Sequence, residues 1–326
     1  MIRTARQLKD LSRNKAQENN SDSRIIISSY MMERFLERIS LSKYKDNFIL
    51  KGGLLVASMV GLKARSTMDI DTTVKGMSIS KADVRNIVAD IINVPLDDGM
   101  TFQIKNVDEI MDEAEYPGVR VHLDCLFDGM KIPLKIDIST GDIISPKEIH
   151  YSFKLMYEER TIDIWAYTIE TVIAEKMETI ISRAETNTRM RDFYDIYILS
   201  VMYNEQINLA VLRESLKATS KKRGSVPLMQ NAEQTLQNIL DSQEMQRLWK
   251  NYRSKYKYSS DISWDTVNHS VRSMAESAGL LETLVLSDVL KDNNHKPSIL
   301  KRLDSAQQPP TGSSEKIKRK KYDLER

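Results

Sequence analysis

Alternation of apolar and polar residues at the strand period is confined to the first half of this 326-residue chain. Successive side chains on a strand point to opposite faces, so such alternation marks half-buried strands. Phe48-Ile49-Leu50 is a short strand-like run and Met68-Asp69-Ile70-Asp71 alternates strictly. Three longer candidates follow at 101–107, 119–127 and 131–138. Asp128-Gly129, between the last two, is a hairpin signal because both residues tolerate a left-handed backbone. Two helical patterns interrupt the strands. One covers 54–60 and stops at Gly61; the other opens at Ser80 and Asp83, carries Val84, Ile87, Val88 and Ile91, and ends before Pro95. Strand, helix and antiparallel strands in this order predict an α/β (α+β) fold on a mixed sheet.

Helical spacing takes over on either side. Helices are expected at 2–18 and 24–40, separated by Asn19-Asn20-Ser21-Asp22-Ser23. The second carries Ile27, Met31, Phe35 and Ile39 in one apolar stripe beside Met32 and Leu36. From residue 168 the strand signal vanishes, and helices are expected at 168–184, 189–203, 206–219, 228–249 and 264–292. The chain therefore divides into N-terminal helices (1–45), a sheet domain (46–165), an all-helical domain (166–304) and a flexible basic end (305–326). In that end, 307–314 reads as a linker and 316–321 as a solvated, lysine-rich tail.

Charge and composition exclude several functions. Lys plus Arg (48) nearly cancels Asp plus Glu (46), leaving +2, so nucleic acid would have to be held by a local cluster rather than a uniformly basic surface. No apolar run approaches the roughly 18–20 residues of a membrane span, and the N-terminal residues lack an apolar signal core. A cytoplasmic chain without membrane contact is expected. Cys125 is the one cysteine, and His122, His150, His269 and His295 are scattered, so neither a disulfide framework nor zinc chemistry is expected.

The candidate chemistry lies in carboxylates. Asp69 and Asp71 project to one face of their strand while Ile70 faces the other, a geometry suited to Mg²⁺ and equally to a wet sheet face. Asp137, between Ile136 and Ile138, offers a third carboxylate on another strand; Asp124 is the second choice. Gly52-Gly53 allows backbone N–H groups to approach phosphate oxygens, or makes a plain tight turn. Lys176 falls on the apolar stripe of Ile169, Val172, Ile173, Met177, Ile180 and Ile181, where it either snorkels or serves an anionic ligand such as a triphosphate. Asp192 and Asp195 share one helix face near its N-terminus, where acids are favoured, and Arg189 and Arg191 read as surface charges. Lys250, Arg253, Lys255 and Lys257 alternate with tyrosines in an acid-free stretch suited to RNA, unless those tyrosines pack inward. Lys221-Lys222-Arg223 adds a second basic cluster.

Taken in order, these segments resemble the AbiEii/AbiGii toxin family of the polymerase-β-like nucleotidyltransferases. The resemblance runs from Tyr30-Met31-Met32-Glu33-Arg34-Phe35-Leu36-Glu37-Arg38 through Phe48-Ile49-Leu50-Lys51-Gly52-Gly53 and Arg65-Ser66-Thr67-Met68-Asp69-Ile70-Asp71. It continues in Ile136-Asp137-Ile138-Ser139-Thr140-Gly141-Asp142, Glu170-Thr171-Val172-Ile173-Ala174-Glu175-Lys176 and Asn187-Thr188-Arg189-Met190-Arg191-Asp192-Phe193-Tyr194-Asp195, about residues 25–200 in all. It departs from the family's pattern at Ser66, where many members have proline, and at Gly53, where other superfamily members have serine. The resemblance implies that the sheet domain is a nucleotidyltransferase domain. It also implies that Asp69, Asp71 and Asp137 bind Mg²⁺ (or Mn²⁺), and that Lys51, Gly52, Gly53, Arg65, Thr67 and Lys176 hold an NTP. Lys176 and Asp192 join the three carboxylates as catalytic groups. A toxin of a bacterial toxin–antitoxin or phage-defence (abortive infection) system is implied, with a cognate antitoxin from a neighbouring gene and an RNA acceptor, the tRNA 3′ end. A small-molecule or protein hydroxyl as acceptor, or a non-catalytic nucleotide-binding module, are the alternatives.

Overall fold

A computed structural model describes residues 2–77, 80–110 and 118–281. The end of the expected 264–292 helix, the 307–314 linker and the basic tail lie outside the described residues.

Two helices open the chain, α1 (Ala5–Glu18) and α2 (Ser23–Leu41), capped by the side chains of Thr4 and Asp22. Strand β1 (Phe48–Lys51) runs directly into α3 (Gly52–Val60), and β2 (Asp69–Val74) follows. The expected Ser80–Asp83 start is a full capping box on α4 (Lys81–Ile92). Then come β3 (Met100–Ile110), β4 (Gly118–Phe127) and β5 (Met130–Thr140). Asp128 and Gly129 in the β4–β5 turn have φ of 42° and 78°, the left-handed pair a two-residue hairpin needs.

Two strands escaped the sequence reading: β6 (Ile149–Lys154) and β7 (Thr161–Ala166). β7 does alternate, with Ile162, Ile164 and Ala166 buried, but β6 buries only Phe153 and carries almost no pattern. Among the described residues the strands form one sheet in the order β3-β4-β5-β2-β1-β7-β6. β2 and β5 are parallel, as are β1 and β7; the other neighbouring pairs are antiparallel.

One sheet face is apolar. Ile70, Val121, Cys125, Ile136 and Ile138 are buried, and α2 lies against them, with Cys125 Sγ 3.3 Å from Met31 Sδ and the Phe35 and Phe102 rings 5.8 Å apart. Helix α2 is buried nearly all round, not along one stripe as the sequence suggests. Its charged side is covered as well: Arg34 pairs with Glu37 (2.8 Å) and Glu158 (3.1 Å), and Arg38 with Asp98 (2.8 Å). Buried charges are tolerable when paired in this way.

Helices α5 (Ile169–Arg183) and α6 (Met190–Tyr203) lead the C-terminal half, followed by α7 (Leu209–Arg223). The single helix expected at 228–249 is instead three: α8 (Val226–Met229), α9 (Ala232–Asp241) and α10 (Gln243–Lys255). Ser242 causes the last break. It stands at φ −68°, ψ 116°, ending α9, and its hydroxyl accepts from Met245 N to start α10. α11 (Trp264–Ser277) packs on α6. Among the described residues no helix is long and apolar enough to cross a membrane.

Candidate active site

The face of the sheet opposite α2 carries a row of charges fixed by register. Lys51 on β1 is abreast of Asp71 on β2, Asp71 of Asp137 on β5, Asp137 of Arg120 on β4, and Arg120 of Asp108 on β3. Asp69 sits one pleat along, abreast of Lys135. Hence the parallel insertion of β2 beside β5 makes Asp71 and Asp137 lateral neighbours, about 4.8 Å apart strand to strand.

Asp71 is further held by the start of α3. Its Oδ2 accepts the Gly53 N–H at 3.1 Å, so the carboxylate occupies a helix N-terminus that has no side-chain cap of its own. Gly52 makes that approach possible. It has φ +63°, and a Cβ there would lie 2.2 Å from Asp71 Oδ2. At Gly53 a Cβ would meet Thr67 Oγ1 at 2.9 Å. Burial, with the charge of Asp137 alongside, pushes the Asp71 carboxyl above the usual range, although the Gly53 N–H and Lys51 pull the other way.

The donors are all carboxylate oxygens, hard ligands suited to Mg²⁺ or Mn²⁺, and the Asp71–Asp137 repulsion is the kind a cation relieves. The residues present therefore fit such an ion. Among the described residues, no three acidic, histidine or cysteine groups converge as a ready-made cation site. Two of the three carboxylates are instead held by basic side chains. Arg120 grips Asp137 through both oxygens at 2.8 Å, and Lys135 Nζ lies 3.0 Å from Asp69.

Helices α5 and α6 form the opposite wall. Lys176 does not snorkel: its ammonium lies 3.0 Å from Asp192 and 2.7 Å from Asp195. Burial would lower its pKa, but Asp195 and Asp192 outweigh that and hold it above the ordinary lysine value. Arg65, fully buried, donates Nε to Asp195 at 2.6 Å and Nη2 at 3.2 Å. Asp195 is buried too, yet Arg65 and Lys176 bring its carboxyl down to about 2. Lys51 pairs with buried Asp142, which also accepts from Ser139 Oγ (2.8 Å) and Tyr167 OH (3.0 Å).

Lys51, Gly52, Gly53, Arg65, Thr67, Asp69, Asp71, Asp137, Lys176 and Asp192 all line one cleft of about 1100 Å³. Arg189 and Arg191, read from sequence as surface charges, line it too. Asp124 does not; it sits farther along β4, paired with Lys131 at 2.8 Å. Of the four basic residues expected to meet RNA, Lys255 borders the cleft, whereas Lys250, Arg253 and Lys257 do not. Arg253 donates to the Ser260 carbonyl at 2.8 Å and Lys257 lies 3.3 Å from Asn20 Oδ1. Tyr252 and Tyr258 turn inward, joined hydroxyl to hydroxyl at 2.9 Å within a cluster that includes Tyr194 and Trp249.

The sequence reading passed over Arg120 and Lys135 as site residues. Both alternate correctly onto the polar face, but only the strand order sets them beside Asp137 and Asp69. Asp195 was read as a helix-terminal acid, because nothing local ties it to Arg65.

A family model described as nucleotidyl transferase AbiEii toxin, type IV TA system, matches residues 34–270. Among solved structures, the chain is similar to a crystal structure of a candidate nucleotidyltransferase from H. pylori. The identity is 16% and the TM-score 0.46, over 81% of this chain and 98% of that one. It is also similar to JHP933 from Helicobacter pylori, at 15% identity and TM-score 0.44, over 83% and 94%. No curated protein matches the chain.

Proposed function

The chain belongs to the AbiEii family of nucleotidyltransferase toxins of type IV toxin–antitoxin systems, and from that membership we propose that it transfers a nucleoside monophosphate from an NTP to the 3′ end of an RNA, a tRNA, and so blocks translation. A cognate antitoxin and an NTP substrate go with the family; the antitoxin comes from a neighbouring gene in this reading. The observation that carries the chemistry is the Asp71–Asp137 pair, two carboxylates abreast on parallel strands beside a helix that begins with two glycines.

Mg²⁺ (or Mn²⁺) held by Asp69, Asp71 and Asp137 would polarise the α-phosphate and lower the pKa of the attacking hydroxyl. Gly52 and Gly53 let Asp71 and Thr67 pack against the α3 N-terminus, where a Cβ would collide with them, and the backbone there is the cradle for triphosphate oxygens in this reading. Lys176, kept charged by Asp195, faces the same space from α5 and balances triphosphate charge. Arg120 and Lys135 turn to phosphate oxygens once their carboxylates take a cation. Lys51, Arg65 and Thr67 shape the floor, Arg65 through its pair with Asp195. In the reaction the 3′-oxygen bonds to the α-phosphorus, the α–β bridging bond breaks, pyrophosphate leaves, and the hydroxyl proton passes to Asp137. Asp192 keeps Lys176 in place.

The test is incubation with total RNA, Mg²⁺ and each α-labelled NTP in turn. Label should appear on tRNA-sized RNA and vanish with Asp71→Asn. Label on protein or on a small molecule would refute the RNA acceptor, and no transfer to any acceptor would refute the reaction.

A further inference from the structure

The cleft is chemically uneven. The sheet carboxylates and the glycines line one part of it, and the last turns of α10 with the residue after it form a wall along another. Leu248, Asn251 and Lys255 fall at helical spacing on one side of α10, and Tyr256 follows, all bordering the cleft. Tyr256 is half-buried. Its ring is backed by Tyr252 (centroids 4.7 Å) and Tyr258 (5.5 Å, planes 24° apart), and its hydroxyl accepts from Arg191 Nη2 at 2.8 Å. An aromatic ring fixed on three sides pays little entropy when something flat lies against it. Beside it, the exposed Asn251 amide makes no side-chain hydrogen bond among the described residues, so it has one carbonyl and two N–H groups to offer.

We propose that this wall is a nucleobase site, with Tyr256 stacking on the base of the incoming nucleotide and Asn251 hydrogen-bonding to its edge. The proposal rests on the nucleotide-binding reading above and adds the part of the ligand that carboxylates and glycines do not touch. A purely apolar ligand suits the wall poorly, because Arg191 Cζ and Lys255 Nζ lie 5.4 Å and 5.5 Å from the centre of the Tyr256 ring. A nucleobase suits it, since bases combine a π-face with polar edges.

The experiment compares equilibrium binding of the four NTPs with that of inorganic tripolyphosphate, all with Mg²⁺, to the wild type, Tyr256→Ala, Tyr256→Phe and Asn251→Ala. Tyr256→Ala should weaken NTP binding roughly tenfold, as loss of one stacked base does, and leave tripolyphosphate binding unchanged. Tyr256→Phe should keep nearly all of the NTP affinity. Asn251→Ala, an exposed position that folding does not need, should alter the ranking among the four NTPs only. Equal losses of NTP and tripolyphosphate, or no loss of either, would overturn the proposal. A loss confined to RNA affinity would also overturn it, assigning the wall to the acceptor's base. If the wild type binds NTP no better than tripolyphosphate, the base site falls and the phosphate site stands. If it binds neither, the nucleotide-binding reading falls as well.

Discussion

Replacing Gly52 by alanine should cripple the site out of proportion to its cost in stability. The backbone there has φ +63°, where an L side chain costs about 1–2 kcal/mol. The new Cβ would lie 2.2 Å from Asp71 Oδ2 and 2.7 Å from its Cβ and Cγ, so the carboxylate must move by about an ångström, the shortfall from van der Waals contact. That movement also breaks the Gly53 N–H bond to Asp71, worth roughly 1.5–3 kcal/mol for a charged acceptor. Together the change destabilises by about 2.5–5 kcal/mol, or roughly 5–20 °C in Tm for a domain of this size. Transfer activity should fall at least about a hundredfold, since an ångström of misplacement suffices for that. Gly53→Ala is the comparison: its Cβ meets the Thr67 hydroxyl at 2.9 Å and Arg65 Nη2 at 3.2 Å, without backbone strain, and none of its three nearest atoms belongs to Asp71. Melting curves and labelled-NTP transfer on both variants check the argument. Wild-type transfer by Gly52→Ala would show that the close approach of this glycine to Asp71 is unimportant, and the reasoning would be wrong.

Other outcomes follow from the buried charges. Asp195→Asn leaves Arg65 buried without its counter-charge and should destabilise by about 3–5 kcal/mol in denaturant titration, far more than an exposed Asp→Asn change. Because the Asp195 carboxyl is near 2 in the folded protein, the wild type gains from this pair above about pH 4, the unfolded value, and loses it as pH falls from there toward 2; the variant should lack that part of the acid slope. Glu33 has the opposite sign: burial pushes it up to about 8, so the folded state holds a proton that the unfolded state has lost, and stability should decline as pH rises from about 4.5 to 8. Glu33→Gln keeps an acceptor for the Met156 N–H and should flatten that decline in melts across the range; an unchanged slope would discount Glu33. For RNA, Lys255→Gln should lower the salt dependence of binding more than Lys250→Gln, because Lys255 alone of the four borders the cleft; equal effects would return the contact to the outer surface of α10.

The three sheet carboxylates were legible in sequence because they alternate with isoleucines, and alternation is a local property. Asp69, Asp71 and Asp137 each stand beside a residue that must face the core, which fixes where the acid points. Their cationic partners were not legible. Arg120 and Lys135 alternate just as well, but a charge on a polar face looks the same whether it meets water or a carboxylate on the neighbouring strand. Only the order β4-β5-β2 decides that. The same limit hid the charged half of α2, whose partners Asp98 and Glu158 come from distant loops. β6 was invisible for a different reason: at the edge of the sheet it buries one side chain, too few to make a period. The break at Ser242 hinged on one hydroxyl, which in sequence is an unremarkable residue inside a helical run.

The Arg65–Asp195 pair joins residues 130 positions apart. Until Asp195 exists and has docked, Arg65 has no buried counter-charge, Lys176 lacks its nearer partner, and the wall opposite the sheet carboxylates cannot close. A ribosome that stalls before that point, or a protease that cuts there, releases a fragment with every sheet carboxylate present and no assembled cleft. Assembly of the cleft is thereby tied to synthesis past residue 195 of 326, roughly three-fifths of the chain, and shorter fragments lack it.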